Sequence, residues 1–209
     1  MNGPSAGEPM RLFIAVDLPD EARQAIAVHQ KLLAGPLSKS KEGLKLVEPS
    51  RMHLTLLFIG EAQEARVPAI VESMNAPASM PPFDVTFGGV GVFPPRGAAH
   101  VLWLGITEGG DQLARLQHDI AERVRELDIE FDDRPFHPHL TLGRWRGADR
   151  RRPSAARRST PERLRREVAA LDRSDRIACV RVTRATLYQS RLSSSGPAYT
   201  ALAHATLTA

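Results

Sequence analysis

The chain spells one tetrapeptide, His-Leu-Thr-Leu, twice: at His53–Leu56 within RMHLTLLFIG and at His139–Leu142 within RPFHPHLTLGRW. Each copy closes the same run of predicted elements. The first follows a β-prone stretch at 11–17 and a helical stretch at 20–34; the second follows a strand at 100–106 and a helix at 111–127. A strand–helix–strand order that recurs at nearly the same spacing constrains the fold more than any other feature. Repeated supersecondary units pack through pseudo-symmetry, which brings equivalent strands to face each other. Strand side chains alternate between faces, so in each copy the imidazole and hydroxyl point one way and the leucines the other. Two such half-sites are expected to make one whole site.

The other elements fit an α+β chain. Alternation and β-branched content predict further strands at 52–59, 83–93, 139–145, 177–190 and 199–207. The helix at 20–34 follows Pro19 and is expected to stop at Gly35. Around 67–76, Val67, Ile70, Val71 and Met74 share one helical face, and Leu113, Leu116, Ile120, Val124 and Leu127 form a stripe along 111–127. Thr160-Pro161-Glu162 reads as an N-cap with proline at the first helical position, leading to about Leu171. The mixed order predicts two pseudo-symmetric lobes of mainly antiparallel sheet, with helices outside and a groove between them.

Residues 10–209 are read as one bilobal domain after a flexible leader at 1–9, in which no basic and apolar signal pattern is seen. A basic insertion at 146–160, RGADRRRPSAARRST, lacks periodicity and is expected to be a mobile loop, its arginines only a weak pointer to RNA phosphates. No run of about 18 apolar residues exists, so no helical membrane span is expected. The single Cys179 cannot form an internal disulfide, which suits a reducing cytoplasm; within IACVRV it reads as a small buried hydrophobe. A net charge of +4 permits a polyanionic partner without requiring one. A monomer is expected.

Two histidines in one groove suit phosphodiester hydrolysis. One imidazole draws a proton from water on one side of phosphorus, and the other protonates the leaving alkoxide in line on the far side. The two threonine hydroxyls can hydrogen-bond the non-bridging oxygens where charge builds. Arg144, in TLGRW, has the wrong parity on a regular strand, and a twist or bulge would be needed to bring it into the groove. A single His-x-Thr on a strand is ordinary, because threonine is β-prone and histidine tolerates half-burial. Two copies in equivalent places of a repeat are far more specific, although HLTL is also simply a good strand.

With RLFIAVDLP at the start, RMHLTLLFIGE, PHLTLGR and the tail LYQSRLSSSGPAYTAL in order, the chain resembles the 2H phosphoesterase superfamily. Within it the likeness is to the RNA 2′,3′-cyclic phosphodiesterases, also called 2′-5′ RNA ligases. The resemblance implies a two-lobed α+β fold and hydrolysis of a 2′,3′-cyclic phosphate to a 2′-phosphate, with no metal or other cofactor. It assigns His53 as proton donor to the leaving 3′ oxygen, His139 as the base that activates water, and Thr55 and Thr141 as phosphate ligands. The implied partners are RNA ends or nucleotides carrying a 2′,3′-cyclic phosphate. Ligation would be the reverse reaction at the same site, and no Gly-rich ATP loop is present to drive it. The insertion after Trp145 is longer than usual for that family.

Phe58 and Tyr199 are candidate aromatic contacts to a base, though core packing would explain both. His29, His100, His118 and His204 are read as structural or surface residues. His137 and His139 in FHPH have the spacing of metal ligands, but no carboxylate or thiolate is close in sequence and no metal is assigned. Two other readings stay open. One is a phosphodiesterase for a different small nucleotide, such as a 2′,5′-oligoadenylate or a cyclic ADP-ribose phosphate. The other is an RNA-binding module without turnover.

Overall fold

A computed structural model describes residues 8–37, 43–145, 161–171, 176–194 and 196–209. Most of the leader and the whole basic insertion at 146–160 lie outside the described residues, as does the cap expected at Thr160. The elements run β1 (Met10–Asp17), α1 (Asp20–Leu37), β2 (Leu44–Leu46), β3 (His53–Ala62), α2 (Val67–Asn75), β4 (Ala78–Ser79), β5 (Phe83–Phe93) and β6 (Val101–Glu108). They continue with α3 (Gly110–Glu126), β7 (Leu140–Trp145), α4 (Pro161–Leu171), β8 (Ala178–Val182), β9 (Arg184–Ser193) and β10 (Gly196–Thr208). The α+β class and the mainly antiparallel sheet are as expected.

The two halves share one sheet, in the order β4-β10-β9-β1-β3-β7-β6-β5-β8, with β2 pairing β7 off this path. The half built around β1 and β3 recruits the chain's last two strands; the other half is built around β6 and β7. The halves join where β3 meets β7 antiparallel, through the pair Leu54–Leu140. The central leucine of each HLTL therefore sits opposite the other.

The sequence alternation builds the core. Leu12, Ile14, Val16, Leu54, Leu140 and Leu142 pack with the helical stripes, where Leu113, Leu116 and Ile120 are fully buried. Each such aliphatic side chain contributes about 1.5–3 kcal/mol by leaving water. Helix α3 begins with Asp111 and ends with Arg123 and Arg125, charges that suit the helix dipole. Arg123 also donates to the carbonyls of Ala76 at 2.8 Å and Pro77 at 2.9 Å, which fastens α3 to the chain leaving α2.

Three expectations need correction. Helix α1 does not stop at Gly35 but runs through Pro36 to Leu37, whose side chain is buried and draws the last turn onto the core. The strand expected at 177–190 is two, broken at Thr183: β8 pairs β5 and β9 pairs β1, on different sides of the sheet. With one residue joining them, the sheet must curve round until its end returns toward β9 and β10; Leu207 N–H donates to the Thr183 carbonyl at 2.9 Å. Cys179 is exposed, because strand alternation gives the buried face of β8 to Val180 and Val182 and turns Cys179 with Arg181 outward. Among the described residues no helix is long and apolar enough to cross a membrane.

Candidate active site

The two HLTL segments share a backbone irregularity as well as a sequence. Along β1, Asp17 pairs with His53, Val16 with Leu54 and Ala15 with Thr55, but Ile14 pairs with Leu57. Leu56 is thus an extra residue, a β-bulge. Along β6, Leu104 pairs with Leu140 and Trp103 with Thr141, but Leu102 pairs with Gly143, which makes Leu142 the extra residue. The last leucine of each motif is a bulge.

A bulge resets the alternation of everything after it. Leu56 and Leu57 are both buried and Phe58 turns outward, 46% exposed. Leu142 and Gly143 are both buried and Arg144 turns outward. Phe58 and Arg144 therefore join the histidine and threonine of their own strands on the groove face. The parity objection to Arg144 falls away for this reason. The second bulge is held from a distance: its Leu142 carbonyl accepts the Gln30 side-chain amide at 2.7 Å and the Val47 N–H at 2.9 Å. Gln30, on α1 and only 2% exposed, also donates to the Val47 carbonyl at 2.8 Å.

Both histidines are anchored alike. The Nδ1–H of His53 meets the Arg51 carbonyl at 2.8 Å, and that of His139 meets the His137 carbonyl at 2.7 Å. In each case the bond goes two residues back, which fixes the tautomer and leaves Nε2 at the outer end of the ring. Each ring also has a phenylalanine at its side, Phe13 with centroids 4.9 Å from His53 and Phe93 with centroids 4.9 Å from His139. Tyr199 meets His53 edge-on at 5.3 Å, and Trp103 backs Phe93 at 5.2 Å. Gly91 makes room for that indole, since a Cβ there would lie 2.1 Å from it.

Burial is the largest influence on both imidazoles and holds each below the ordinary histidine value of 6.5. The bond to the Arg51 carbonyl and the charge of Asp17 work against it at His53, while Arg144 adds to it. At His139 the bond to the His137 carbonyl opposes burial, and Arg144 and His137 reinforce it. Arg144 lines the same groove as both rings.

A groove of about 670 Å³ gathers His53, Thr55, His139, Thr141, Arg144, Phe58 and Tyr199. Every candidate site residue lines this one space. It also contains Phe13, Arg11, Arg51 and Arg134, which sequence reasoning missed. Arg11 and Phe13 alternate on the groove face of β1, a pattern visible in RLF but without meaning until β1 is known to border β3. Arg134 is paired with Asp132, which is held by its N–H to the Phe58 carbonyl at 2.9 Å. His137 offers its carbonyl to His139, and among the described residues no three His, Cys, Asp or Glu side chains gather as metal ligands.

Residues 18–192 match the family model described as the 2′-5′ RNA ligase superfamily. An RNA 2′,3′-cyclic phosphodiesterase of Archaeoglobus fulgidus is 39% identical over 135 residues, 65% of this chain and 72% of that protein. Another, of Methanothermobacter thermautotrophicus, is 30% identical over 198 residues, 91% of this chain and 95% of its own. Among solved structures, E. coli LigT in apo form superimposes with a TM-score of 0.69 at 27% identity, over 97% of this chain and all of that one.

Proposed function

The chain belongs to the 2′-5′ RNA ligase superfamily, and on that premise we propose that it hydrolyses 2′,3′-cyclic phosphate ends of RNA or nucleotides to 2′-phosphates, using two histidines and no metal. The observation that carries this reading is the matched pair of anchors. Each Nδ1 is tied to a backbone carbonyl, so each Nε2 is presented as a proton carrier of defined tautomer, and both line one groove with the two threonines.

In the proposed step, Nε2 of His139 accepts a proton from a water whose oxygen attacks phosphorus opposite O3′. The P–O3′ bond breaks and O3′ takes the proton from Nε2 of His53. The phosphate stays on O2′. His139 ends protonated and His53 neutral, and exchange with solvent restores both. The hydroxyls of Thr55 and Thr141 donate to the non-bridging oxygens, and the Arg144 guanidinium offsets the charge that grows there. Phe58 and Tyr199 supply the apolar surface for a base.

Burial of His139 supports its role, since a neutral imidazole is what a base requires. Turnover of a 2′,3′-cyclic nucleotide should survive exhaustive chelation with EDTA. Activity lost on chelation and restored by zinc or manganese would overturn the metal-free mechanism. Tight binding of cyclic-phosphate RNA without any turnover would favour a binding module instead.

A further inference from the structure

Strands β1 and β6 stand in the same relation to the two HLTL strands. Ala15 and Val16 pair with Thr55 and Leu54 just as Trp103 and Leu104 pair with Thr141 and Leu140. The next residue along β1 is Asp17, paired with His53; the next along β6 is Gly105. A side chain at Gly105 would be tight, because a Cβ would lie 3.0 Å from the Gly88 carbonyl oxygen and 3.2 Å from the Trp103 ring. The half-sites share their motif, bulge, Nδ1 anchor and flanking phenylalanine. They differ in that a carboxylate stands beside one histidine and a glycine occupies the matching place beside the other.

That carboxylate is fixed in place. Thr186 Oγ1 donates to its Oδ2 at 2.7 Å, and the Tyr188 hydroxyl donates to its Oδ1. Thr186 is fully buried. The Tyr188 phenol is pushed up to about 12, by burial first and then by its bond to Asp17, so it stays a donor throughout the working range. Both donors come from β9, on the side of β1 away from β3, and the Nδ1 of His53 is already committed to Arg51. Asp17 therefore acts on His53 as a neighbouring charge and not as a hydrogen-bond partner. The other charges facing this cluster are Arg184 of β9, 3.8 Å from Asp17, Arg23 of α1 near Tyr188, and Arg144 on the groove side. The charged groups acting on the His139 ring are Arg144 and His137.

We propose that Asp17 is the positioning residue that decides which of two near-equivalent histidines carries the proton, its fixed charge keeping His53 the acid while His139 serves as the base. The assignment rests on the acid–base reading above. An acid must hold its proton until the alkoxide leaves, and burial alone drives both imidazoles to the neutral form. One negative charge beside one ring favours the protonated form of that ring without touching the groove.

The test is a proton NMR titration of the imidazole resonances, with kcat/KM against pH alongside it. In Asp17→Asn, His53 should titrate lower by at least about half a unit, while His139 stays within the error of the wild type. At neutral pH, kcat/KM should fall by about 3- to 10-fold, the drop expected when the acid is less often protonated. Asp17→Glu should restore part of both. Should Asp17→Asn not fold, Arg184→Gln removes an exposed cation that opposes Asp17 and should shift His53 upward instead. An unmoved His53 in a folded variant, or equal shifts at both histidines, would overturn the proposal. The titration needs no turnover, so its failure is separable from that of the acid–base reading, which would show as full activity in a folded His53→Ala variant.

Discussion

Phe58 and Arg144 occupy the same place in the two half-sites, each the second residue after a bulged leucine and each turned into the groove beside a His-x-Thr pair. One strand thereby contributes an aromatic face and the other a cation. A nucleotide with a cyclic phosphate has one feature for each.

Their losses should therefore look different. In the proposed reaction Arg144 offsets charge that grows as phosphorus is attacked, so Arg144→Ala should lower kcat by about 10²-fold with a smaller change in KM. The stacking proposed for Phe58 would be present before and during reaction, so in Phe58→Ala KM should rise by about 5- to 10-fold with kcat nearly kept. Steady-state kinetics on a 2′,3′-cyclic nucleotide separates the two. The opposite pattern would exchange their roles.

His53→Ala and His139→Ala should each cost about 10²–10⁴ in rate, the range for a removed acid or base. The double variant should be little slower than the slower single one, as expected if the two histidines act as a unit. Thr55→Ala and Thr141→Ala should cost less, since each removes a hydrogen bond and no proton carrier. Far-ultraviolet circular dichroism should show all four folded, as the neighbouring leucines carry the burial on the other strand face. A folded histidine variant with wild-type turnover would reduce the repeat to architecture.

Gln30→Leu tests the second bulge. It leaves the carbonyl of Val47 without the Gln30 amide and that of Leu142 with only the Val47 N–H, a loss of about 1–3 kcal/mol in urea denaturation. Activity should also fall well below the melting temperature, because the bulge aims Arg144. Adding Arg144→Ala to Gln30→Leu should then cost less than Arg144→Ala alone. Full additivity would mean that the bulge keeps its shape without Gln30.

Two half-buried histidines give stability a pH dependence whose sign is fixed. Both are held below 6.5 in the folded state, so between the folded and unfolded values the unfolded chain binds more protons. Their contribution is intact above 6.5, declines as pH falls through the folded-state values, and is flat below them. Urea midpoints from about pH 8 down to about pH 5 should fall less in His53→Gln/His139→Gln than in the wild type. A parallel fall would place the acid sensitivity elsewhere. The proposed mechanism needs one imidazole neutral while the other is charged, so kcat/KM should trace a bell against pH.

What the sequence determined by itself was everything that rests on local pattern. Alternation placed both HLTL segments on strands and put His53 with Thr55, and His139 with Thr141, on a common face. The helical stripe of α3 was legible because its leucines recur at helical spacing. The repeated order of elements announced that two equivalent strands would meet, and they do so at Leu54 and Leu140. Tertiary structure alone decided the bulges, because an extra residue exists only relative to a partner strand. Leu56 is a bulge by its pairing with β1 and Leu142 by its pairing with β6, and Gln30 caps the second from 112 residues away. For that reason Arg144 looked misdirected in the sequence and Phe58 could not be told from core. Asp17 was hidden for the same physical reason. A carboxylate acquires meaning for a histidine through the register that sets them side by side, and register is a property of two strands together.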